Sequence, residues 1–251
     1  MPILLTGGRG RLGTEIQKHL AFITPAFITP AFVAPTRQEL DITDLNSLQR
    51  AFNTYQPSLI VHAAAYTHVS GAETDKKGCW EVNVLGTRNM VKVALEHAVP
   101  FIHISTDYVF YGDRGMYKED DPVGPVRNYY ALSKLVAEEI VRGLANHLVI
   151  RTSFRPIEWP YSTAFDDIYT SQDYVDIIAP EIILAIKKFT KIPFQTLHIA
   201  TERKTVYDLA KRRKPDVIRG SKESANVQLP EDISLDISRW QMLKEHLREE
   251  T

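Results

Sequence analysis

Two side chains with complementary proton chemistry lie four residues apart in "NYYALSKLVAEE", residues 128–139. Tyr130 and Lys134 fall on one face of a predicted helix, because helix residues at i and i+4 are neighbours. A nearby ammonium favours the phenolate form of a tyrosine, so the pair suits proton transfer to or from a substrate oxygen. The same spacing also occurs by chance in helices, and the pair alone does not establish a catalytic site.

A second polar group follows an apolar strand in "ISTDYVF", residues 104–110. Thr106, Asp107 and Tyr108 place a hydroxyl, a carboxylate and a phenol side by side where that strand ends. Such residues also terminate strands by bonding to their own backbone, so an ordinary turn is the alternative. Asp107 is interpreted either as a turn residue or as a substrate contact. We expect Tyr108 to form a wall of the substrate pocket.

The start of the chain carries a pattern typical of dinucleotide sites. "ILLTGGRGRLGTEI", residues 3–16, reads as a strand, then glycines at 7, 10 and 13, then a helix. The first glycine permits a tight turn, the second lets backbone amides approach a pyrophosphate, and the third lets helix and strand pack closely. We therefore predict that the cofactor is bound by Gly7, Gly10, Arg11, Leu12 and Gly13.

The end of the second predicted strand indicates which nicotinamide cofactor binds. An acid there binds the ribose hydroxyls of NADH, whereas an arginine accommodates the extra phosphate of NADPH. Thr36 and Arg37 follow the strand, and no acid occurs before Glu39. The sequence favours NADPH, with NADH as the alternative.

Apolar, β-rich runs alternate along the chain with stretches of helical spacing. The predicted strands cover 3–5, 31–34, 59–62, 101–104, 148–150 and 196–199, and the predicted helices cover 11–20, 45–55, 80–97, 128–144, 174–189, 206–213 and 238–248. Continuous hydrophobicity within the strands predicts an α/β fold with a doubly wound parallel sheet of Rossmann type. We predict a dinucleotide-binding core over 1–153 and a small, shortened substrate lobe over 154–251, intertwined with the core.

One segment departs from this alternation. "AFITPAFITPAFVAP", residues 21–35, repeats a five-residue unit three times, with Pro25, Pro30 and Pro35. A proline every five residues excludes a helix interior and a central strand. We interpret the repeat as a lengthened loop before the second strand, with a binding role as the alternative.

Composition narrows the class of partner. The 251 residues carry a formal net charge of -1, which argues against nucleic acid or an anionic membrane and favours a small molecule. The single cysteine, Cys79, cannot form an intramolecular disulfide, and no apolar run reaches the roughly 20 residues that span a bilayer. We expect a soluble cytoplasmic protein.

The histidines lack metal-ligand spacing, so no metal is expected. His62 and His103 are expected to have hydrogen-bond partners within the sheet.

Several motifs, in order along the chain, resemble the nucleotide-sugar branch of the extended short-chain dehydrogenase/reductase superfamily, and within it the dTDP-4-dehydrorhamnose reductases. They are "LLTGGRGRLG", "LDITD", "VHAAAYT", "NVLGT", "ISTDYVF", "YALSKLVAEE", "IRTSF" and "LPEDISLDISRW". The resemblance implies a catalytic triad of Thr106, Tyr130 and Lys134. It also implies cofactor contacts from Asp41 and Ile42 beside the adenine and from Ala63, Ala64 and Ala65 along the cofactor, with Asn83 supporting the helix and proton relay.

The implied activity is NADPH-dependent reduction of a 4-keto-6-deoxy nucleotide sugar, with the proton from Tyr130. Related dehydratases carry a glutamate base after the acid, and Tyr108 stands there instead, which favours direct hydride transfer. Substrate contacts are expected from Thr67, Asp107, Tyr108, Phe154 and Arg155. Phe154 stands where the family commonly has tryptophan, and the chain is shorter than usual after it. Trp159 and Tyr161 either line a remodelled pocket with Arg155 or belong to the core.

Two other functions stay open. The same branch includes the regulatory subunit of methionine adenosyltransferase, which acts through protein contact, and epimerases that use the same triad with NAD. The basic stretch 211–222 either holds a diphosphate through Arg219 or is a solvated surface. A homodimer through the helices predicted at 80–97 and 128–144 is also implied by related proteins.

Overall fold

A computed structural model describes residues 1–23, 32–225 and 229–249. The strands are β1 (Ile3–Thr6), β2 (Phe32–Val33), β3 (Leu59–His62), β4 (Phe101–Thr106), β5 (His147–Thr152), β6 (Phe154–Arg155), β7 (Thr163–Phe165), β8 (Tyr169–Thr170), β9 (Asp173–Tyr174), β10 (Thr196–His198), β11 (Lys204–Thr205) and β12 (Ile218–Gly220). The α-helices are α1 (Arg11–Ile23), α2 (Leu45–Tyr55), α3 (Gly71–Thr74), α4 (Lys76–Trp80), α5 (Thr87–Glu96), α6 (Tyr129–Arg142), α7 (Val175–Lys187), α8 (Val206–Lys211) and α9 (Ser238–Glu249). Most of the AFITP repeat lies outside the described residues.

The chain divides into two compact units. Unit 1 contains Met1–Ser105 and Arg127–Ile150, and unit 2 contains Thr106–Val126 and Arg151–Thr251. Among the described helices, none combines the length and the apolar character that crossing a bilayer requires.

Unit 1 is built on a sheet with the strand order β5-β4-β3-β1-β2. The register is parallel, with Leu4 of β1 opposite both Val33 of β2 and Ile60 of β3, and Val61 opposite Ile102 of β4. Leu4, Ile60, Val61 and Ile102 are completely buried, as expected for strands covered on both faces. The predicted Rossmann-type parallel sheet is confirmed.

Local sequence explains the ends of helix α2. Asp44 caps its first turn, because the Asp44 side chain accepts a hydrogen bond from the Asn46 amide at 2.9 Å. Leu48 and Phe52, four residues apart, are buried on one face. The helix ends where Gln56 adopts a left-handed conformation with φ of 46°. Its bounds are those that the sequence predicts.

The helix predicted over 80–97 contains an irregular turn. Helix α4 ends at Trp80, a π-helical turn covers Glu81–Gly86, and α5 follows from Thr87. The Ile42 side chain packs against this turn, where a Cβ on Gly86 would lie only 2.7 Å from Ile42 Cδ1. Single π turns inside helices often occur at functional sites, because they present backbone and side chains at a changed angle.

Unit 2 holds short strands around a separate core. Strands β11 and β8 pair antiparallel, whereas β12 pairs with β7 and β6 with β9 in parallel. Trp159, Tyr174 and Leu209 are among the buried residues of this core. The Tyr174 hydroxyl donates to the Leu209 carbonyl at 3.0 Å, which satisfies its polar end inside the core.

A cluster of charged and polar side chains in unit 2 binds Arg212 of the basic stretch 211–222. The buried carboxylate of Asp173 accepts from Arg212 Nη1 at 2.9 Å and from Thr201 Oγ1 at 3.0 Å. Lys204, also buried, donates to the same Thr201 hydroxyl at 2.7 Å. The Arg212 side chain is 43% exposed, yet it stabilises the fold, because the buried carboxylate of Asp173 requires a charged partner.

Candidate active site

The glycine loop of unit 1 brings two backbone segments into close contact. Gly7 has φ of +73°, and a Cβ there would lie 2.7 Å from the Ala64 amide nitrogen. A Cβ on Gly13 would lie 2.3 Å from the Gly7 carbonyl oxygen. Side chains at both positions are therefore excluded, as the glycine pattern predicts. The Gly10 amide donates to the Gly7 carbonyl at 2.8 Å and completes the turn.

The loop leads directly into a long helix. Helix α1 begins at Arg11, which is exposed, whereas Leu12 is buried beneath it. The first turn contains no acidic residue. Backbone amides at a helix N-terminus attract anions, so the glycine loop and this first turn fit the pyrophosphate of a dinucleotide.

The residues after β2 form a charged corner in unit 1. The Arg37 side chain is 77% exposed, with Nε 3.5 Å from Asp41 Oδ2. Burial tends to raise the pKa of Asp41, but hydrogen bonds from Thr43 and the Arg37 charge outweigh it and the pKa lies below its ordinary value. Ile42 is buried next to this corner. Arg37 is therefore accessible to a phosphate, and Asp41 stays ionised.

The loop after β3 is held by Asn83 of the π-helical turn. Asn83 Oδ1 accepts from the Tyr66 amide at 2.7 Å, and Nδ2 donates to the Tyr66 carbonyl at 3.2 Å. Ala63, Ala64 and Ala65 are half-buried along the preceding part of this loop, and Thr67 after it is exposed. Asn83 thus fixes the backbone that the sequence predicts along the cofactor.

Asn83 also reaches the helix that carries the predicted acid. Asn83 Nδ2 donates to Ser133 Oγ at 2.8 Å, and Ser133 Oγ donates to the Tyr130 carbonyl at 2.7 Å. Ser133 is completely buried. The sequence prediction omitted Ser133 as a supporting residue, although its position three residues after Tyr130 indicates a contact within the first turns of the helix.

Tyr130 and Lys134 occupy the first two turns of α6. The helix starts where Asn128 Oδ1 accepts from the Ala131 amide at 2.8 Å. Lys134 is buried, and its Nζ donates to the Ile104 carbonyl at 2.7 Å. Burial lowers the pKa of Lys134 to about 8, against the opposing charge of Glu138. Lys134 is therefore mostly an ammonium at neutral pH and loses its proton at mildly alkaline pH.

A hydrogen-bonded chain runs beneath this helix through His62. Thr87 Oγ1 donates to the Asn83 carbonyl at 2.7 Å, so its hydrogen is not available to His62. His62 Nε2 must therefore donate to Thr87 Oγ1, at 3.1 Å, and His62 Nδ1 accepts from Thr6 Oγ1 at 2.8 Å. Burial lowers the pKa of His62 to about 3, so the ring is neutral. His62 is satisfied within the unit, as the sequence predicts, but the same prediction is wrong for His103, whose buried Nδ1 has no hydrogen-bond partner among the described residues.

In unit 2, the last residue of β4 and the two that follow it form a compact polar group. Thr106 Oγ1 accepts from the Tyr108 amide at 3.2 Å and donates to Asp107 Oδ1 at 3.0 Å. Burial raises the pKa of Asp107 to about 6, although Ser153 and Arg155 act in the opposite direction. Burial likewise raises the pKa of Tyr108. The positive charge of Arg155 opposes the rise in both pKa values.

The neighbouring aromatic residues of unit 2 belong partly to its core. Phe154 and Arg155 form β6, and the Arg155 guanidinium lies 5.4 Å from the Trp159 ring centre. Trp159 is 6% exposed and contacts Tyr161 edge to face at 5.7 Å. Trp159 therefore packs as a core residue, whereas Tyr161 is exposed.

Arg219 of the basic stretch has partners within unit 2. Its guanidinium lies 4.6 Å from the Tyr207 ring centre, and Nη1 is 3.4 Å from Asp166 Oδ2. These contacts match the solvated-surface interpretation, since the Arg219 side chain is 65% exposed.

The sequence of this chain matches a known protein family. A family described as the RmlD substrate binding domain matches residues 1–159, more than half of the chain. The chain belongs to the RmlD substrate-binding-domain family. Membership confirms the resemblance to extended short-chain dehydrogenases/reductases of the dTDP-4-dehydrorhamnose reductase type.

Curated relatives of this RmlD-family chain match about three fifths of its length. A spore coat polysaccharide biosynthesis protein of Bacillus subtilis is 33% identical over 154 residues, covering 61% of this chain and 52% of that protein. A dTDP-4-dehydrorhamnose reductase of Aggregatibacter actinomycetemcomitans is 34% identical over 154 residues, covering 61% of this chain and 51% of that protein. The chain thus spans about half the length of the curated relatives it matches.

Solved structures of RmlD-type proteins match over nearly the whole chain. A hypothetical dTDP-4-dehydrorhamnose reductase from Sulfolobus tokodaii superposes with a TM-score of 0.81 at 28% identity, covering 97% of this chain and 94% of that one. A dTDP-4-dehydrorhamnose reductase from Bacillus anthracis, solved in complex with NADP, gives a TM-score of 0.82 at 24% identity with full coverage of both chains. The latter likeness concerns the fold.

Proposed function

We propose that this chain is an NADPH-dependent reductase of a 4-keto-6-deoxy nucleotide sugar, of the dTDP-4-dehydrorhamnose reductase type. The observation that carries the proposal is the placement of Tyr130 and the buried ammonium of Lys134 on the first two turns of α6. A phenol one helical turn from an ammonium is suited to give a proton to a developing alkoxide. The names of the family relatives support the sugar substrate.

The cofactor proposal rests on the fit of the glycine loop. Side chains are excluded at Gly7 and Gly13, and the first turn of α1 lacks acids, so the backbone can receive a pyrophosphate. Arg37, exposed in the segment after β2, is proposed to bind the additional phosphate of NADPH. When bound, NADPH supplies the hydride that adds to the carbonyl carbon of the sugar.

The chain's own residues handle the proton. Tyr130 is proposed to donate its hydroxyl hydrogen to the carbonyl oxygen as the hydride arrives, which leaves a secondary alcohol and a phenolate. Lys134 stabilises that phenolate by its charge. By family resemblance, Thr106 donates a hydrogen bond to the same oxygen, where negative charge develops. Thr67, Asp107, Tyr108, Phe154 and Arg155 are proposed as substrate contacts.

NADPH absorbance loss with a panel of 4-keto-6-deoxy nucleotide sugars tests the proposal. Tyr130→Phe should abolish turnover while binding NADPH, because it lacks the acidic hydrogen. Tyr129→Phe is the matched control, since it removes a hydroxyl from the adjacent residue of the same helix and should turn over normally. If NADPH binds and no sugar of the panel is reduced, a binding or regulatory function replaces the reductase.

The proposed enzyme is a cytoplasmic homodimer. Trp80, Leu85 and Tyr129 line an open groove of about 430 Å³ on unit 1, where related proteins associate through helices. Leu85→Asp should convert a dimer to a monomer in analytical ultracentrifugation, because it places a charge in an apolar contact. A wild-type protein that sediments as a monomer refutes the dimer.

A further inference from the structure

Lys134 is held by two contacts with strand β4. Its Nζ donates to the Ile104 carbonyl at 2.7 Å and lies 3.3 Å from His103 Nε2. An ammonium has three hydrogens and no lone pair, so His103 Nε2 must be the acceptor of the second contact. Two of the three hydrogens are thereby fixed by β4, and one is left for the proposed site.

His103 consequently carries its hydrogen on Nδ1, which distinguishes it from His62. The two rings lie 5.6 Å apart, and both nitrogens of His62 have threonine partners. His103 Nδ1 is buried and has no hydrogen-bond partner within residues 1–23, 32–225 and 229–249. Because a buried N–H without an acceptor is costly, a histidine retained only for packing is expected to have both nitrogens paired.

The surroundings keep the His103 ring uncharged. Burial, the Lys134 ammonium and His62 together hold the pKa of His103 well below its ordinary value. Lys134 is also faced by Glu138 from its own helix and by Cys79 from α4, and both act to raise its pKa. Glu138 is itself bound by Ser105 Oγ at 2.9 Å and by Arg142 Nη2 at 2.7 Å. Tyr130 lies one turn earlier on the same helix.

The geometry points to His103 as a positioning residue for Lys134: its neutral imidazole accepts a hydrogen bond that holds the ammonium in place and keeps it protonated. The catalytic consequence rests on the proposed function, because Lys134 is assigned there to stabilise the phenolate of Tyr130. The hydrogen bond itself can be measured without any turnover.

Titration of Lys134 by NMR, with carbon-13 at lysine Cε, tests the hydrogen bond directly. Loss of one signal in Lys134→Met assigns the resonance. His103→Phe removes the acceptor, so the Lys134 titration should move toward acid by about one pH unit, as expected when a charged donor loses a partner. His103→Gln retains an acceptor oxygen and should titrate close to the wild type. If His103→Phe does not fold, His103→Leu, which also lacks an acceptor, takes its place.

His147→Phe is the matched control for this titration. His147 is buried on β5 and also has an unpartnered nitrogen, but its bond is to the Leu144 carbonyl rather than to Lys134. It should leave the Lys134 titration unchanged. An unmoved Lys134 signal in a folded variant that lacks the His103 acceptor overturns the proposal, as does an equal shift in His147→Phe.

The pH profile of kcat separates positioning from a general structural defect. The alkaline limb of His103→Phe should move toward acid together with the NMR titration, and turnover should recover at a pH well below that limb. A loss of turnover that is the same at every pH overturns the positioning role. If the wild type reduces no sugar, the proposed function fails while the NMR titration still decides the hydrogen bond.

Discussion

Asn83 Nδ2 donates a hydrogen bond to Ser133 Oγ across 2.8 Å and so joins the π-helical turn to the helix of Tyr130 and Lys134. Asn83 is 2% exposed and also binds both backbone polar groups of Tyr66. One amide side chain therefore connects the loop after β3 with the start of α6. A small change at Asn83 is expected to affect both elements.

Asn83→Ala should lower the free energy of unfolding by about 2 kcal/mol, because it removes the partner of both half-buried backbone groups of Tyr66 and the donor to the buried Ser133 hydroxyl. Urea unfolding measures the loss. The exposed Asn53 of α2 provides the control, and Asn53→Ala should stay within about 0.5 kcal/mol of the wild type. Equal unfolding midpoints for the wild type and Asn83→Ala would show that the network adds no stability.

Gly13→Ala should impair both folding and cofactor binding, because its Cβ would lie 2.3 Å from the Gly7 carbonyl oxygen. Overpacking of this kind costs about 2 kcal/mol, and displacement of the loop should weaken NADPH binding by about tenfold or more. Gly143→Ala is the control, since its Cβ would lie 3.3 Å from the nearest oxygen at an exposed helix end. Thermal unfolding and fluorescence titration with NADPH measure both effects. Equal behaviour of the two variants would contradict the tight contact.

Arg37→Ala should raise the Kd for NADPH by about tenfold and leave the Kd for NADH nearly unchanged. The lost interaction is a charge-assisted contact with the extra phosphate, which NADH lacks. Arg50→Ala removes a comparably exposed arginine from α2 and should change neither constant. Isothermal titration with both cofactors gives the comparison. An equal loss for NADPH and NADH would assign Arg37 to the loop structure instead.

Asp107 should make stability depend on pH in an unusual direction for a carboxylate. Its pKa of about 6 exceeds the ordinary 3.8, so the folded protein binds this proton more tightly than the unfolded chain does. The free energy of unfolding should therefore fall as the pH rises from about 4 to about 6, by about 3 kcal/mol relative to Asp107→Asn, and stay level above that.

Urea unfolding of the wild type and Asp107→Asn across this pH range measures the difference. The amide side chain of this variant would keep an acceptor for the Thr106 hydroxyl, so the substitution mainly removes the ionisation. Asp216→Asn, at an exposed position, should run parallel to the wild type. A wild type whose stability instead rises with pH relative to Asp107→Asn would mean that Asp107 is stabilised as the anion.

Sequence predicted most of the sheet and the long helices, because their signals are local. The apolar run Leu59–His62 and the capped helix Leu45–Tyr55 have the predicted bounds. The π-helical turn at Glu81–Gly86 was not predicted, and its contact with Ile42 joins residues that are far apart in the chain. The short strands of unit 2 have two or three residues each and are too brief to show a period.

The candidate site divides in the same way. Glycines with fixed spacing and a Tyr–Lys pair at i and i+4 can each be recognised within one segment of sequence. The hydrogen bonds of Ser133 with Asn83 and of His103 with Lys134 cannot, because each joins residues about 30 to 50 positions apart. The charge of the basic stretch 211–222 likewise did not predict the contact of Arg212, which donates a hydrogen bond to the buried carboxylate of Asp173.

The chain of hydrogen bonds through His62 has a fixed direction. Each hydrogen points onward, from the Ala64 amide to Thr6, from Thr6 to His62, from His62 to Thr87 and from Thr87 to the Asn83 carbonyl. A carbonyl oxygen has no hydrogen to pass on, so this path ends inside the protein and cannot relay protons. The hydrogen bonds through His62 therefore fix the interior of unit 1 without providing a proton path to Lys134.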